Sequence, residues 1–248
     1  MALGVACTDP EDLQQASEHL RGAERPGGVR AALSRRRTIR RIRLVVFEIA
    51  PCAPGLTERL RVDAAQPGSP PMFDRLPYQL ERVRLRRLRS ADLNDFLAYR
   101  RDPEVARYQG WAPMADSEAS GFLEDHGRHV SLTPGAWHQL AIAQHESDLL
   151  IGDVGVWLSP DGSQAEIGIS IASSFQGNGL GCECLKGLIE LLFSATRVAE
   201  IVAHSDARNA ACLSMLARSG MGRIDTRQVE YKGEACTEHS FSIRRTDR

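Results

Sequence analysis

The residues best suited to chemistry lie between Glu166 and Asn209, and the run Gln176-Gly177-Asn178-Gly179-Leu180-Gly181 is the most informative of them. Glycines at 177, 179 and 181 remove side chains that would hold a ligand away from the backbone. The helix that follows begins with N–H groups that have no internal partners, so the loop predicts an anion cradle suited to a phosphate. A plain glycine-rich turn is the bland alternative. No Gly-Lys-Ser/Thr follows, which excludes a P-loop. A dinucleotide site competes, with Asp206 as a ribose ligand 29 residues after the first glycine. Against it, Ser173 to Gln176 separate the preceding strand from the loop, and the strands upstream read as an antiparallel meander.

Positioning such a loop takes a strand before it and a helix after it. Glu166 to Ile171 is apolar at alternate positions, Leu180 to about Thr196 is an apolar helix, and Ile201 to His204 is a buried strand. Together they predict a βαβ unit with parallel strands. Alternation sends Ile167, Ile169 and Ile171 to one face and Glu166, Gly168 and Ser170 to the other. Upstream, Trp137 to Gln144, Leu150 to Leu158 and Gln164 to Ile171 read as a meander with turns at Glu146-Ser147-Asp148 and Ser159-Pro160-Asp161-Gly162. Val83 and Leu85 alternate with Arg82, Arg84 and Arg86, a strand with one wet face. Ser90 is placed to cap a helix through Arg101, which Asp102-Pro103 ends, and a second helix is expected from Asp116 or Ser117 to about His126.

This order resembles the GNAT superfamily of acetyltransferases, and within it the branch that acetylates N-terminal amines of ribosomal proteins. The family's cofactor motif, Q/R-x-x-G-x-G/A, fits Gln176 to Gly181 at each fixed position. Glu81 to Arg86, Asp102-Pro103-Glu104-Val105, Gly110-Trp111, Glu166-Ile167-Gly168, Asn209 with Gly220-Met221, and Val229 to Glu234 extend the resemblance over about residues 80 to 245. It implies an α/β (α+β) fold: a mostly antiparallel mixed sheet with one splayed parallel pair, flanked by helices, within a domain at 80–246. It implies acetyl-CoA as co-substrate between the splayed strands, its pantetheine arm on the backbone of Ile169 and Ile171. The pyrophosphate would lie on Gln176, Gly177, Asn178, Gly179, Leu180 and Gly181. An acceptor amine, a protein N-terminus or a small molecule, then attacks the thioester directly.

Such an amine is mostly protonated at neutral pH and must lose a proton first. Glu166 is the candidate base, and an exposed strand glutamate without a duty is the alternative. A departing thiolate needs a proton. The tyrosine that many relatives use corresponds to Leu216, and the serine of the nearest branch corresponds to Cys212, a weak donor. Cys212 is therefore the candidate acid, with a packed helix residue as the plain reading. These replacements also admit a catalytically silent acyl-CoA-binding module. Asp206 is read as a helix cap, which puts the Asn209 amide in the first turn within reach of the pantetheine. His204 reads as packed at a strand end, and Tyr108, Trp111 and Trp137 as pocket lining or core.

Bulk properties fit a cytoplasmic protein. The chain has 248 residues and a net charge of -1, without the basic excess of a nucleic-acid binder. Leu44 to Pro54, its longest apolar run, is broken by Glu48 and Pro51, so no membrane partner is expected. Cysteines at 7, 52, 182, 184, 212 and 236 show no zinc spacing and are expected as reduced thiols, with no metal bound. Residues 1–71 are rich in arginine and in Pro/Gly punctuation, with a short strand conceivable at Ile42 to Ile49. Five acids within the first 25 residues argue against a targeting sequence, leaving a disordered or dispensable extension with Met72 as a candidate start. A monomer or homodimer is expected.

Overall fold

The fold is built on one eight-stranded sheet. A computed structural model describes residues 70–247. The arginine-rich stretch and the strand anticipated at Ile42 to Ile49 lie outside the described residues. The strands are β1 (Tyr78–Gln79), β2 (Val83–Arg86), β3 (Trp137–Gln144), β4 (Leu150–Leu158), β5 (Gln164–Ile171), β6 (Glu200–Asp206), β7 (Gly222–Tyr231) and β8 (Glu234–Arg244). Their order across the sheet is β1-β2-β3-β4-β5-β6-β8-β7. All neighbours run antiparallel except β5 and β6. The α+β sheet with one parallel pair is thus the architecture anticipated from the sequence, and β3, β4 and β5 have the expected limits.

Helices cover both faces. They are α1 (Leu93–Arg100), α2 (Pro103–Ala106), α3 (Asp116–Gly127), α4 (Leu180–Ala195) and α5 (Ala210–Arg218). Under α4 lies the main core, where Val83, Leu85, Leu140, Ile142, Val154, Ile167, Ile201, Phe241 and Ile243 meet Cys184, Leu188 and Leu192. The apolar run of α4 is explained by this burial. A second core between α1, α3 and the other face contains Phe96, Tyr99, Trp111, Phe122, Leu123 and Ala141. Met72 and Phe73 belong to the main core, so packing begins ahead of the anticipated boundary at residue 80.

Several local expectations need correcting. Ser90 does not cap the first helix. The Asp92 carboxylate accepts the Arg89 N–H at 2.8 Å, and Ser90–Asp92 is a 3-10 turn. Asp92 is held there by the Arg86 guanidinium at 2.8 and 2.9 Å. Arg86 is therefore buried, not on a wet face, because Asp92 and Asp148 compensate its charge. Arg100 is buried as well, at 1% exposure. It donates to Asp153 at 2.5 Å and stacks on Trp111 and Phe96, with its guanidinium carbon 4.5 and 4.8 Å from the ring centroids. Trp111 is thus core rather than pocket lining. Asp102 does break the helix, and its carboxylate accepts the Glu104 N–H at 2.9 Å to start α2.

α4 and α5 meet at Gly181. A Cβ built there would lie 2.9 Å from the Met215 sulfur, so the missing side chain lets the two helices pack closely. A branched side chain at 181 must displace the Met215 side chain from its place between the helices. Gly181→Val is expected to cost about 1–3 kcal/mol, the usual range for overpacking, read as a lowered midpoint in thermal unfolding.

Between α3 and β3 three histidines cluster. His138 Nε2 accepts the Thr133 N–H at 2.7 Å, its Nδ1 lies 3.2 Å from His129 Nδ1, and the His126 and His129 rings are 5.0 Å apart. Burial, helped by the neighbouring imidazoles, pushes the pKa of His126 down to about 3 and of His138 down to about 4. Both folded values lie below the unfolded value near 6.5, so their contribution is complete above pH 6.5 and is lost as pH falls towards 4. Each should cost about 2 kcal/mol between pH 7 and pH 5. Unfolding midpoints across that interval should fall in the wild type and fall less in His138→Gln.

Candidate active site

β5 and β6 stay paired for only three rungs, Gln164 with Glu200, Ala165 with Ile201 and Glu166 with Val202. Beyond Glu166 they part. The Ala172 N–H bonds Ile151 on β4, so by two-residue alternation the peptide groups of Ile167, Ile169 and Ile171 point away from β4 into the gap. Two side-chain amides already reach into it. Gln109 Nε2 donates to the Ile169 carbonyl at 3.0 Å and Gln176 Nε2 to the Ile171 carbonyl at 2.8 Å. Of the backbone groups singled out at 169 and 171, the carbonyls are therefore engaged.

At the far end of β5, Ser173–Phe175 form a 3-10 turn into the glycine loop. Gly177 and Gly179 have φ of +78° and +79°, a left-handed conformation that L side chains resist. A Cβ on Gly177 would meet open space, so the backbone there is bare on that side. Gly179 is the N-cap of α4, which leaves the first N–H groups of that helix facing the loop. Leu180 has its side chain in the main core and offers only its backbone. Asn178 is exposed, and its carbonyl accepts from Arg82 Nη1 at 2.9 Å. Arg82 Nε also donates to Glu183 at 2.8 Å in the first turn of α4, so this arginine staples the loop to the helix.

Glu166 lies on the face away from α4, level with Trp157 on β4 and Val202 on β6. Trp137 continues that rung on β3. A Cβ on Gly168, the next residue on the same face, would touch nothing within 4 Å, which leaves room beside Glu166. The segment around α2 closes over this side. Lys232 Nζ at the β7–β8 turn donates to the Ala106 carbonyl at 3.0 Å, and the Tyr108 hydroxyl lies 3.4 Å from the Arg208 carbonyl. The Ser173 hydroxyl bonds Asp102 and, with the Glu104 N–H, holds that carboxyl below its usual pKa.

Asn209 is itself the cap of α5, because its Oδ1 accepts the Cys212 N–H at 3.1 Å. Asp206 is not a cap. It ends β6 and holds Arg208 through contacts of 2.7 and 3.0 Å, which keep its carboxyl low. Asn209 therefore has its NH2 group, not its carbonyl, available for a ligand. Cys212 packs against the main core on the α4 side, and burial pushes its thiol up while the Ser205 hydroxyl opposes the shift. Glu166 and Cys212 thus lie on opposite faces of the gap. No group of three or more His, Cys, Asp or Glu able to hold a metal occurs among the described residues, and none of their helices is long and apolar enough to cross a membrane.

Sequence reasoning missed Arg82 and Gln109. Arg82 looked like one of three solvated arginines on a strand, and Gln109 lay between better-marked motifs. Only three-dimensional proximity distinguishes them.

The arrangement has known counterparts. The uncharacterized N-acetyltransferase p20 of Bacillus licheniformis is 26% identical over 137 residues, 55% of this chain and 76% of that protein. A GNAT-family acetyltransferase from Bacillus anthracis superposes with a TM-score of 0.58 at 16% identity, over 67% of this chain and 97% of that one. RimL, a ribosomal L7/L12 alpha-N-protein acetyltransferase in complex with coenzyme A, superposes with a TM-score of 0.54 at 16% identity, over 66% and 94% of the two chains. Identities this low carry the fold and not the substrate. The profile of the acetyltransferase (GNAT) domain matches residues 82–222, more than half of the chain and the whole strand–loop–helix unit, and the chain therefore belongs to the GNAT acetyltransferase family.

Proposed function

We propose that this acetyltransferase, which acts with acetyl-CoA, transfers the acetyl group to a primary amine, either a protein N-terminus or a small-molecule amine. The parting of β5 from β6 carries this reading, with a bare anion-binding loop at one end and a half-exposed carboxylate at the other. The residues fit the co-substrate. Gly177 presents backbone where a Cβ would meet no protein atom, and the N-terminus of α4 lies beside it. In this reading, residues 176–181 hold the pyrophosphate through backbone N–H groups. The peptide groups of Ile169 and Ile171 line the pantetheine path, and the Asn209 NH2 closes it from α5.

Glu166 has the chemistry of the base. Its carboxylate attracts the acceptor ammonium and takes one proton, which frees the nitrogen lone pair to attack the thioester carbonyl. The aromatic rung Trp157–Trp137 offers a surface beside that cation. An acceptor with a protein N-terminus matches what RimL is described as modifying, and a small amine uses the same chemistry.

Thermal unfolding with millimolar acetyl-CoA should raise the midpoint by several degrees, since a ligand at 100 times its dissociation constant contributes about 3 kcal/mol. Glu166→Gln should keep that shift and lose about 100-fold in kcat with N-terminal peptides and small amines, within the range for general acid–base catalysis. Wild-type rates in Glu166→Gln would remove Glu166 from the mechanism.

A further inference from the structure

Acetyl transfer leaves two protons to be handled, and one carboxylate takes only the first. After attack the nitrogen of the tetrahedral intermediate still carries a surplus proton, while the sulfur departs as a thiolate that needs one. The α5 side supplies it poorly. Leu216 is a buried hydrocarbon, and Cys212 is a weak donor packed against the core.

On β6, beside the gap, stands a better candidate. Ile201 and Ala203 point into the main core under α4, so Val202, His204 and Asp206 point to the opposite face, the side of Glu166. His204 is two residues past Val202, the last residue of β6 paired with β5, and therefore stands where the strands have begun to part. Its side chain keeps 28% of its surface accessible. Its Nδ1 lies 3.0 Å from the hydroxyl of Ser240, the residue opposite on β8, and 3.8 Å from Glu238 Oε1. Ser240 is only 1% exposed, so its position is fixed by packing. Asp206, the next residue on this face, is committed to Arg208, and Asp225, opposite Ser240 on β7, to Arg227.

We propose that His204 carries the second proton, from the acceptor nitrogen to the leaving sulfur. The inference rests on the acetyl-transfer reading above. Nδ1 is occupied by Ser240, which leaves Nε2 as the working nitrogen. A hydroxyl can accept from Nδ1–H or donate to bare Nδ1, so Ser240 keeps the ring oriented in either tautomer. Glu238 offers a negative charge to the imidazolium formed between the two transfers. The step balances. The amine lone pair forms the C–N bond, and the carbonyl π pair moves to oxygen and returns as the C–S bond breaks with its electrons on sulfur. Nε2 takes the proton from nitrogen and returns it to sulfur, so His204 ends unchanged. The products are the amide and coenzyme A thiol, and the proton first taken by Glu166 passes to solvent.

The test uses the full chain and follows release of the coenzyme A thiol with a panel of free N-terminal peptides and small amines. His204→Gln should keep the acetyl-CoA thermal shift and the acceptor KM while kcat falls about 100-fold, and added imidazole should restore part of the loss. Ser240→Ala, which leaves the ring in place but unoriented, should give a smaller loss in kcat, and serves as the readout if the glutamine variant does not fold. Unchanged kcat in His204→Gln, or in Ser240→Ala where that is the readout, overturns the assignment. So does a loss that imidazole does not restore, or one shared with KM, since either marks a structural role. A wild type that binds acetyl-CoA but acetylates nothing in the panel overturns the transfer reading and this inference with it. Turnover that continues at the wild-type rate without His204 overturns the inference alone.

Discussion

The parting of two parallel strands is the constraint around which this molecule is arranged. A buried peptide group without a partner costs about as much as a lost hydrogen bond, so a sheet does not open inside a core unless something else meets its exposed edges. Here Gln109 and Gln176 satisfy two carbonyls, and the pantetheine arm of a thioester substrate is a suitable partner for what remains. The same opening runs along the backbone of β5 to the turn and loop that begin α4, the path on which the proposed reading lays the co-substrate. Binding and architecture are in this sense one requirement.

Keeping the opening in place demands rigidity on either side of it. On the side of the first strands, the buried Arg100–Asp153 pair, with Tyr99 donating to the other carboxylate oxygen at 3.1 Å, anchors α1 to β4. A buried ion pair is weak evidence for stability, but removing one partner strands the other charge, so the pair fixes where the helix sits. Arg82 does similar work at the loop, where three of its donors hold Asn178 and Glu183. Both arginines act by placing backbone, and neither touches the thioester in the mechanism above.

Much of this was legible in the chain. The period-two pattern of Gln164 to Ile171, the three spaced glycines and the apolar run of α4 each follow from local chemistry, and they recur in the structure with nearly the same limits. What escaped was the fate of polar residues. Arg82, Arg84 and Arg86 share one alternation, yet Arg86 is buried by Asp92 and Asp148 while Arg82 reaches the loop. The cap of α5 was assigned to Asp206, where the structure uses Asn209, because both side-chain types suit the role and only the path of the chain decides between them. His204 read as packing from its place at a strand end. Its partners Ser240 and Glu238 lie about 35 residues away in sequence and on a strand reached only after a helix and a hairpin. Side-chain partnerships across such separations are not encoded in any local pattern.

The short pairing between β5 and β6 has a consequence for how the molecule holds together. Three rungs join the strands before the gap to those after it, and the rest of the seam is made of side-chain contacts, among them Gly181 against Met215, Lys232 with the Ala106 carbonyl and Arg245 with the Thr196 carbonyl. Strands β1 to β5 lie on one side of the gap and β6, β8 and β7 on the other. A ligand lying in the gap touches both. A thioester substrate held there, as proposed, would act as a mortar between the two sides of the sheet, and hydrogen exchange in β6 and β8 should then report its presence as strongly as exchange at the glycine loop.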